Sequence, residues 1–312
     1  MLKFIKNIAS FICFAVISVI IILNLWVSFF PSKAHQNLNY RIGAGGHMYT
    51  RLQEVENFPA VDILVLGSSQ AYRGFDPRHF SGRGLTMFNL GSSSQTPMQT
   101  EILVKEYIDH LSPSMVIYVV SGRSFSSDGV ESATDIIANS RLNLEGFTGA
   151  LKTKNLIVCN TLLVKAWRQM FRLDQNFTEP RVKGKDAYIS GGFVERELSF
   201  YANDQNFPAQ QHIFRLDQVT AFESTLTLLE NRGIEIIIVH APIVSGRYNS
   251  YTNNDELDHF LKAQGFPYYN LNHSLSFSST RHFFDSTHLN QVGVDYMNEQ
   301  FLDILHNEGF IH

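Results

Sequence analysis

Cysteine is almost missing: the 312 residues hold two, Cys13 and Cys159. Cys13 lies in a greasy N-terminal stretch and cannot easily meet the other, which excludes a disulfide framework and also a cysteine-based zinc site. Runs of basic residues are missing too. With 25 Lys and Arg against 29 Asp and Glu, the formal net charge is −4. Without clustered cations little would neutralise phosphates, so nucleic acid is not an expected partner. Internal repeats and low-complexity tracts are lacking, and 44% hydrophobic with 17% charged residues is a globular composition.

What is present is asymmetric. Between Lys6 and Lys33 lie 26 residues without a charge, and in the 23 residues from Ile8 to Phe30 only Ser10, Ser18, Asn24 and Ser28 are polar. As a helix that core would be about 35 Å long, enough to cross a hydrocarbon layer. Residues 1–31 therefore read as a single-pass membrane anchor. A cleaved signal peptide is the competing reading, since Lys3 and Lys6 form a basic leader, but the apolar run is long for one and no clear small-x-small cleavage site follows. Lys33 and Arg41 on the far side nearly balance Lys3 and Lys6, so the short N-terminal tail alone favours an extracytoplasmic globular part, periplasmic or extracellular.

Residues 32–59 are polar and read as a flexible stem. Their glycines, in Arg41-Ile-Gly-Ala-Gly-Gly-His47, follow no strand and open no obvious helix, so they are not a phosphate loop. From residue 60 to 312 the pattern is α/β. Asp62–Leu66, Thr86–Leu90, Met115–Val120, Glu235–Val239 and Pro267–Leu271 are short continuous apolar runs, as in strands buried on both faces. Helical periodicities separate them, through Ile102, Leu103, Tyr107, Ile108 and Leu111 and through Phe222, Leu226, Leu228 and Leu229. Five strands alternating with helices imply a parallel sheet, with ligands at the carboxyl ends of its strands.

Three segments carry candidate chemistry. The first strand leaves into Gly67-Ser68-Ser69-Gln70, where a hydroxyl stands at the sheet edge and serves either as a nucleophile or as an ordinary helix cap. The second leaves through Asn89-Leu90-Gly91-Ser92-Ser93-Ser94, where the Gly91 N–H is placed either as an oxyanion donor or as part of a plain loop. Near the end stands Asp285-Ser-Thr-His288-Leu-Asn-Gln-Val-Gly293. A carboxylate three residues before an imidazole can hold its Nδ1 and leave Nε2 free for a serine hydroxyl. The bland reading is a capped turn beside a surface histidine.

In that order, Gly67-Ser68-Ser69, Asn89-x-Gly91 and Asp285-x-x-His288 resemble the SGNH (GDSL) hydrolase superfamily over residues 60 to 308. With the N-terminal span, Ile63-Leu-Val-Leu-Gly-Ser-Ser-Gln-Ala-Tyr-Arg-Gly-Phe-Asp-Pro77 and the closing motif resemble its membrane-anchored branch in bacterial envelopes. That branch includes proteins of D-alanyl transfer and alginate O-acetylation, which act with membrane-bound O-acyltransferases. The resemblance implies a three-layer sandwich with a five-stranded parallel sheet, flavodoxin-like, and no metal or dissociable cofactor. It also implies Ser69 as nucleophile, His288 as base, Asp285 as its orienting partner, and Gly91 with Asn89 at the oxyanion site. Two departures stand out. Ser68 replaces the usual aspartate, and Ser121-Gly122-Arg123-Ser124 stands where the superfamily has Gly-x-Asn-Asp, so the side-chain amide of the oxyanion hole is missing. Arg73 or Arg123 would be a cationic substitute, or else a structural ion-pair partner.

Residues 126–211 exceed what a crossover needs and read as an insertion. Phe147–Lys152 and Leu156–Leu173 look like amphipathic helices that pack on the domain or on a bilayer or membrane partner. The stretch 176–211 is a polar loop whose Tyr188, Phe193, Phe200, Tyr201 and Phe207 either stack on sugars or anchor the loop. His240-Ala-Pro242 either lines the site or is a strand tail. The expected function is acyl transfer or ester hydrolysis on O-acyl groups of a cell-surface carbohydrate or lipid-linked polymer. The alternative is an inert assembly or polymer-binding subunit of an exopolysaccharide system.

Overall fold

A computed structural model describes residues 1–35, 37–202 and 206–311. It begins with a 28-residue helix, α1 (Leu2–Phe29), long and apolar enough to cross a membrane, a test that a signal sequence also passes. Helix α2 (Met48–Val55) precedes strand β1 (Ile63–Leu66), which turns into the short helix α3 (Ser69–Gly74). The remaining strands are β2 (Met87–Asn89), β3 (Met115–Val120), β4 (Val182–Lys183), β5 (Asp186–Ile189), β6 (Phe193–Arg196), β7 (Glu235–His240) and β8 (Tyr268–Asn270).

Five of these form one parallel sheet in the order β2-β1-β3-β7-β8. All five expected strands are present, each within a residue or two of its expected bounds. Side chains alternate across the sheet, as a pleated strand requires. Leu64, Leu66, Val116, Tyr118, Ile236 and Ile238 face helices Pro97–Leu111 and Leu216–Glu230, while Ile63, Val65, Ile117, Val119, Ile237 and Val239 face the last helix, Gln291–Asn307. The result is a three-layer α/β/α sandwich.

Two sequence expectations need correction. Residues 32–59 are not a flexible stem: Met48, Leu52 and Val55 of α2 belong to the central core, and Leu38 and Tyr40 are buried against Ala138 and Val164. Their polar residues explain the misreading, because they are spent on internal partners. Arg51, fully buried, donates to the Gly192 carbonyl at 3.1 and 2.9 Å and to that of Gly46 at 2.9 Å, and Glu54 accepts from Tyr188 and Ser190.

The second correction concerns residues 176–211. They include the antiparallel sheet β4-β5-β6 rather than a loop throughout. Its aromatics Tyr188 and Phe193 are buried anchors, whereas Phe200 is exposed. The Gly191–Gly192 turn of this sheet closes over the edge of β2, where the Asn89 N–H donates to the Gly191 carbonyl at 2.8 Å. Ahead of it in the insertion stand helices Val130–Asn139, Leu144–Lys152 and Leu156–Met170.

Candidate active site

The turn after β1 is dictated by glycine. Gly67 has φ +136°, and a Cβ there would sit 2.3 Å from the Val119 carbonyl oxygen of β3. Only a residue without a side chain lets β1 pass so close to β3 and turn at once into α3. Gly67→Ala is expected to cost about 2 kcal/mol or more, since strain and close contact add. In calorimetry this should appear as a thermal midpoint lower by several degrees.

Ser69 is the first residue of α3, so its N–H has no acceptor within that helix. His288 comes from the loop before the last helix, which closes on itself: Phe283 bridges Leu289, and the Phe284 N–H donates to the His288 carbonyl at 3.1 Å. The structure brings Ser69, His288 and Asp285 together. Ser69 Oγ lies 2.8 Å from His288 Nε2, and His288 Nδ1 lies 2.9 and 3.0 Å from the two Asp285 oxygens. The carboxylate fixes the proton on Nδ1, so Nε2 accepts from the serine hydroxyl.

Asp285 is itself held in place. Its Oδ1 accepts from the main-chain N–H groups of Thr287 at 2.8 Å and His288 at 2.9 Å, and from the Thr287 hydroxyl at 3.1 Å. Burial opposes its ionisation, but the His288 contact and these N–H donors outweigh it and pull the carboxyl down to about 2. It is an anion at any ordinary pH.

The triad opens into a cavity of about 250 Å³ at the carboxyl ends of β1, β3 and β7. Gly91 does not donate into it. Its N–H donates to Asn89 Oδ1 at 3.1 Å, and Asn89 Nδ2 donates to the Ala71 carbonyl at 2.8 Å, so both residues brace the loop from behind. Beyond that turn Ser94 and Gln95 line the cavity; Ser94 is in the left-handed region at φ 51°, and its N–H meets no acceptor among the described residues. The three-residue Asn89–Gly91 turn consumes its own amide, which the residue types alone do not reveal.

The two arginines separate. Arg73 is not available to substrate: Nη1 and Nη2 donate to Asp186 at 3.1 and 2.7 Å, tying α3 to β5, and Arg196 joins the same carboxylate at 3.0 Å. Burial works against ionisation of Asp186, yet the guanidiniums more than offset it and its carboxyl titrates below the usual range. Arg123 lines the cavity, is exposed, and its side chain makes no hydrogen bond or ion pair among the described residues. Ser121, from the same third block, also lines it.

His240, at the end of β7, does line the site, with Nδ1 4.0 Å from Asp258. The sequence reading missed His212, Tyr251 and Arg247. His212 stacks on Tyr251 with ring centroids 4.0 Å apart, and the Arg247 guanidinium lies 5.2 Å from the Phe207 centroid. No motif marks them, because they reach the cavity from just past the insertion and from the short helix Ser245–Asn249 after β7 and the turn that follows it. Elsewhere, Asp76, His79 and Asp295 cluster their potential ligand atoms, but both Asp76 oxygens are held by Arg78.

Fold and site together place a serine hydroxyl at the exit of β1 in a parallel α/β sheet, within hydrogen-bond reach of a histidine that an aspartate of the last loop holds. That is the arrangement which the resemblance to SGNH (GDSL) hydrolases implies. No protein-family model matches the chain, and no curated protein matches it. Among solved structures it is similar to a putative acylhydrolase from Bacteroides fragilis NCTC 9343, at 12% identity over 84% of this chain and 97% of that one, with a TM-score of 0.43. It is also similar to a GDSL-like lipase from Bacteroides thetaiotaomicron VPI-5482, at 10% identity over 84% and 98%, with a TM-score of 0.43. A third is a lipase/acylhydrolase from Enterococcus faecalis, at 14% identity over 80% and 97%, with a TM-score of 0.40.

Proposed function

We propose that this chain is a membrane-anchored serine acyltransferase or esterase that acts on O-acyl groups of a cell-surface polysaccharide or lipid-linked polymer. The observation that carries the reading is the unbroken chain Asp285, His288, Ser69, at 2.9 and 2.8 Å, opening on a cavity. Ser69 Oγ attacks the acyl carbonyl while His288 Nε2 takes its proton. The oxyanion is received by the main-chain N–H groups of Ser69 and Ser94. As the carbonyl reforms, the C–O bond to the leaving alcohol breaks and His288 returns the proton to that alcohol. The acyl-serine is then discharged to a sugar hydroxyl or to water, with His288 again as base.

The anchor favours transfer, since it holds the site beside membrane-borne donors, and a membrane-bound O-acyltransferase is a fitting source of acyl groups. The missing third-block amide points the same way, because loss of one oxyanion donor costs about 10²–10³ in rate. The test is to incubate the full chain with a small acetyl ester and follow the Ser69 peptide by mass spectrometry. An acetyl adduct that a glycan hydroxyl discharges faster than water supports transfer. Faster discharge by water makes the chain an esterase, and a folded wild type that never carries the adduct overturns the catalytic reading in favour of an inert subunit.

A further inference from the structure

At about 1.5 Å per residue, the 28 residues of α1 extend some 42 Å, roughly 12 Å more than a hydrocarbon core needs. The excess is occupied. Leu23 and Val27, near the C-terminal end of α1, pack against Leu38, Tyr40, Ala138 and Val164 of the globular part, and Arg168 Nη1 donates to Ser28 Oγ at 3.4 Å. Asn24, the buried residue of α1, lies in the same stretch. Trp26 marks the boundary: its ring stacks on Phe30 with centroids 5.1 Å apart and its indole N–H donates to the Ala34 carbonyl at 3.2 Å, the amphipathic placement that tryptophan takes at a headgroup layer. The globular part thus meets the anchor where the anchor leaves the hydrocarbon.

The element in that position is the helix Leu156–Met170. Its row Asn160, Val164 and Arg168 touches the anchor and the segment after it. The adjacent row, Leu156, Leu163, Trp167 and Met170, has apolar side chains at helical spacing and no core to cover them all: Leu156 is 61% and Met170 68% exposed, and Phe171 and Leu173 just beyond are more than half exposed. Around this face Lys152, Lys154 and Arg172 are exposed and make no ion pair among the described residues. Apolar side chains at the waterline with free cations beside them are what an interfacial helix needs.

We infer that the Leu156–Met170 helix and its C-terminal turn lie in the headgroup layer of the bilayer that α1 crosses, with Met170 and Phe171 inserted. The inference needs α1 to span the bilayer and is independent of the chemistry at Ser69. The chain has two tryptophans, Trp26 and Trp167, so in Trp26→Phe all indole emission comes from Trp167. That variant, as the full chain in vesicles of phosphatidylcholine and phosphatidylglycerol, is compared with the same vesicles containing brominated phosphatidylcholine. Loss of most of the Trp167 emission is expected, and Met170→Ser with Phe171→Ser should restore it while leaving far-UV circular dichroism and Ser69 labelling unchanged. Unquenched Trp167 in a chain that floats with the vesicles overturns the inference and assigns the face to a protein partner. A chain that fails to float removes its premise, and quenching untouched by the double substitution overturns Met170 and Phe171 as the contact.

Discussion

Ser69→Ala loses all labelling by a fluorophosphonate probe and about 10⁴-fold or more of any ester turnover, because attack then falls to water without an activated nucleophile. His288→Ala loses nearly as much. The double substitution is hardly worse than either single one, since Ser69 and His288 act as one unit across their 2.8 Å contact. Rates with a small ester and gel-based probe labelling read both effects, and circular dichroism checks that each variant is folded. Persistent labelling in Ser69→Ala would place the reactive hydroxyl elsewhere. A folded wild type that resists the probe would remove the case for catalysis, whatever the hydrogen bonds suggest.

Asp285→Asn should lower kcat by about 10⁴-fold, because an amide facing Nδ1 stabilises the wrong tautomer and does not offset the charge that develops on the imidazole. The loop itself should survive, since the asparagine Oδ1 can still accept from the Thr287 and His288 N–H groups. The acid response separates the two roles. With its carboxyl held at about 2 in the folded chain, against about 3.9 for a free aspartate, Asp285 binds protons more readily when the chain is unfolded. Its stabilising contribution is therefore complete above about pH 4 and fades as pH falls toward 2. Melting curves of wild type and Asp285→Asn should diverge above that window and converge within it. A constant gap down to pH 2 would show that the carboxylate gains nothing from its neighbours.

The sheet could be read from residues alone because its strands are hydrophobic on both faces. Met115–Val120 has one buried side chain after another, a pattern that needs no tertiary knowledge. The triad was legible for a related reason: Asp285 and His288 are local, and only their meeting with Ser69, 219 positions away, required the fold. What escaped was set by contacts distant in sequence. For Arg73 the residues left a substrate cation and a structural ion pair both open, and only Asp186, 113 positions away, decides for the ion pair. Gly91 looked like a donor until Asn89 curled back to take its N–H. The small sheet β4-β5-β6 did leave a trace, in Gly184 and the Gly191-Gly192 pair flanking short runs that contain Val182, Tyr188 and Phe193. Those turn glycines are hairpin signals that the surrounding polarity hid.

The buried α2 changes how far the site can reach. A disordered tether of the 28 residues 32–59 would let the globular part wander by about 30 Å, at roughly 5–6 Å times the square root of its length. With Met48, Leu52 and Val55 in the core and Arg51 clamped to Gly192, that wandering is gone. The distance from α1 to Ser69 is then set by the fold rather than by a tether, so what reaches Ser69 is selected first by position and only afterwards by the side chains of the cavity.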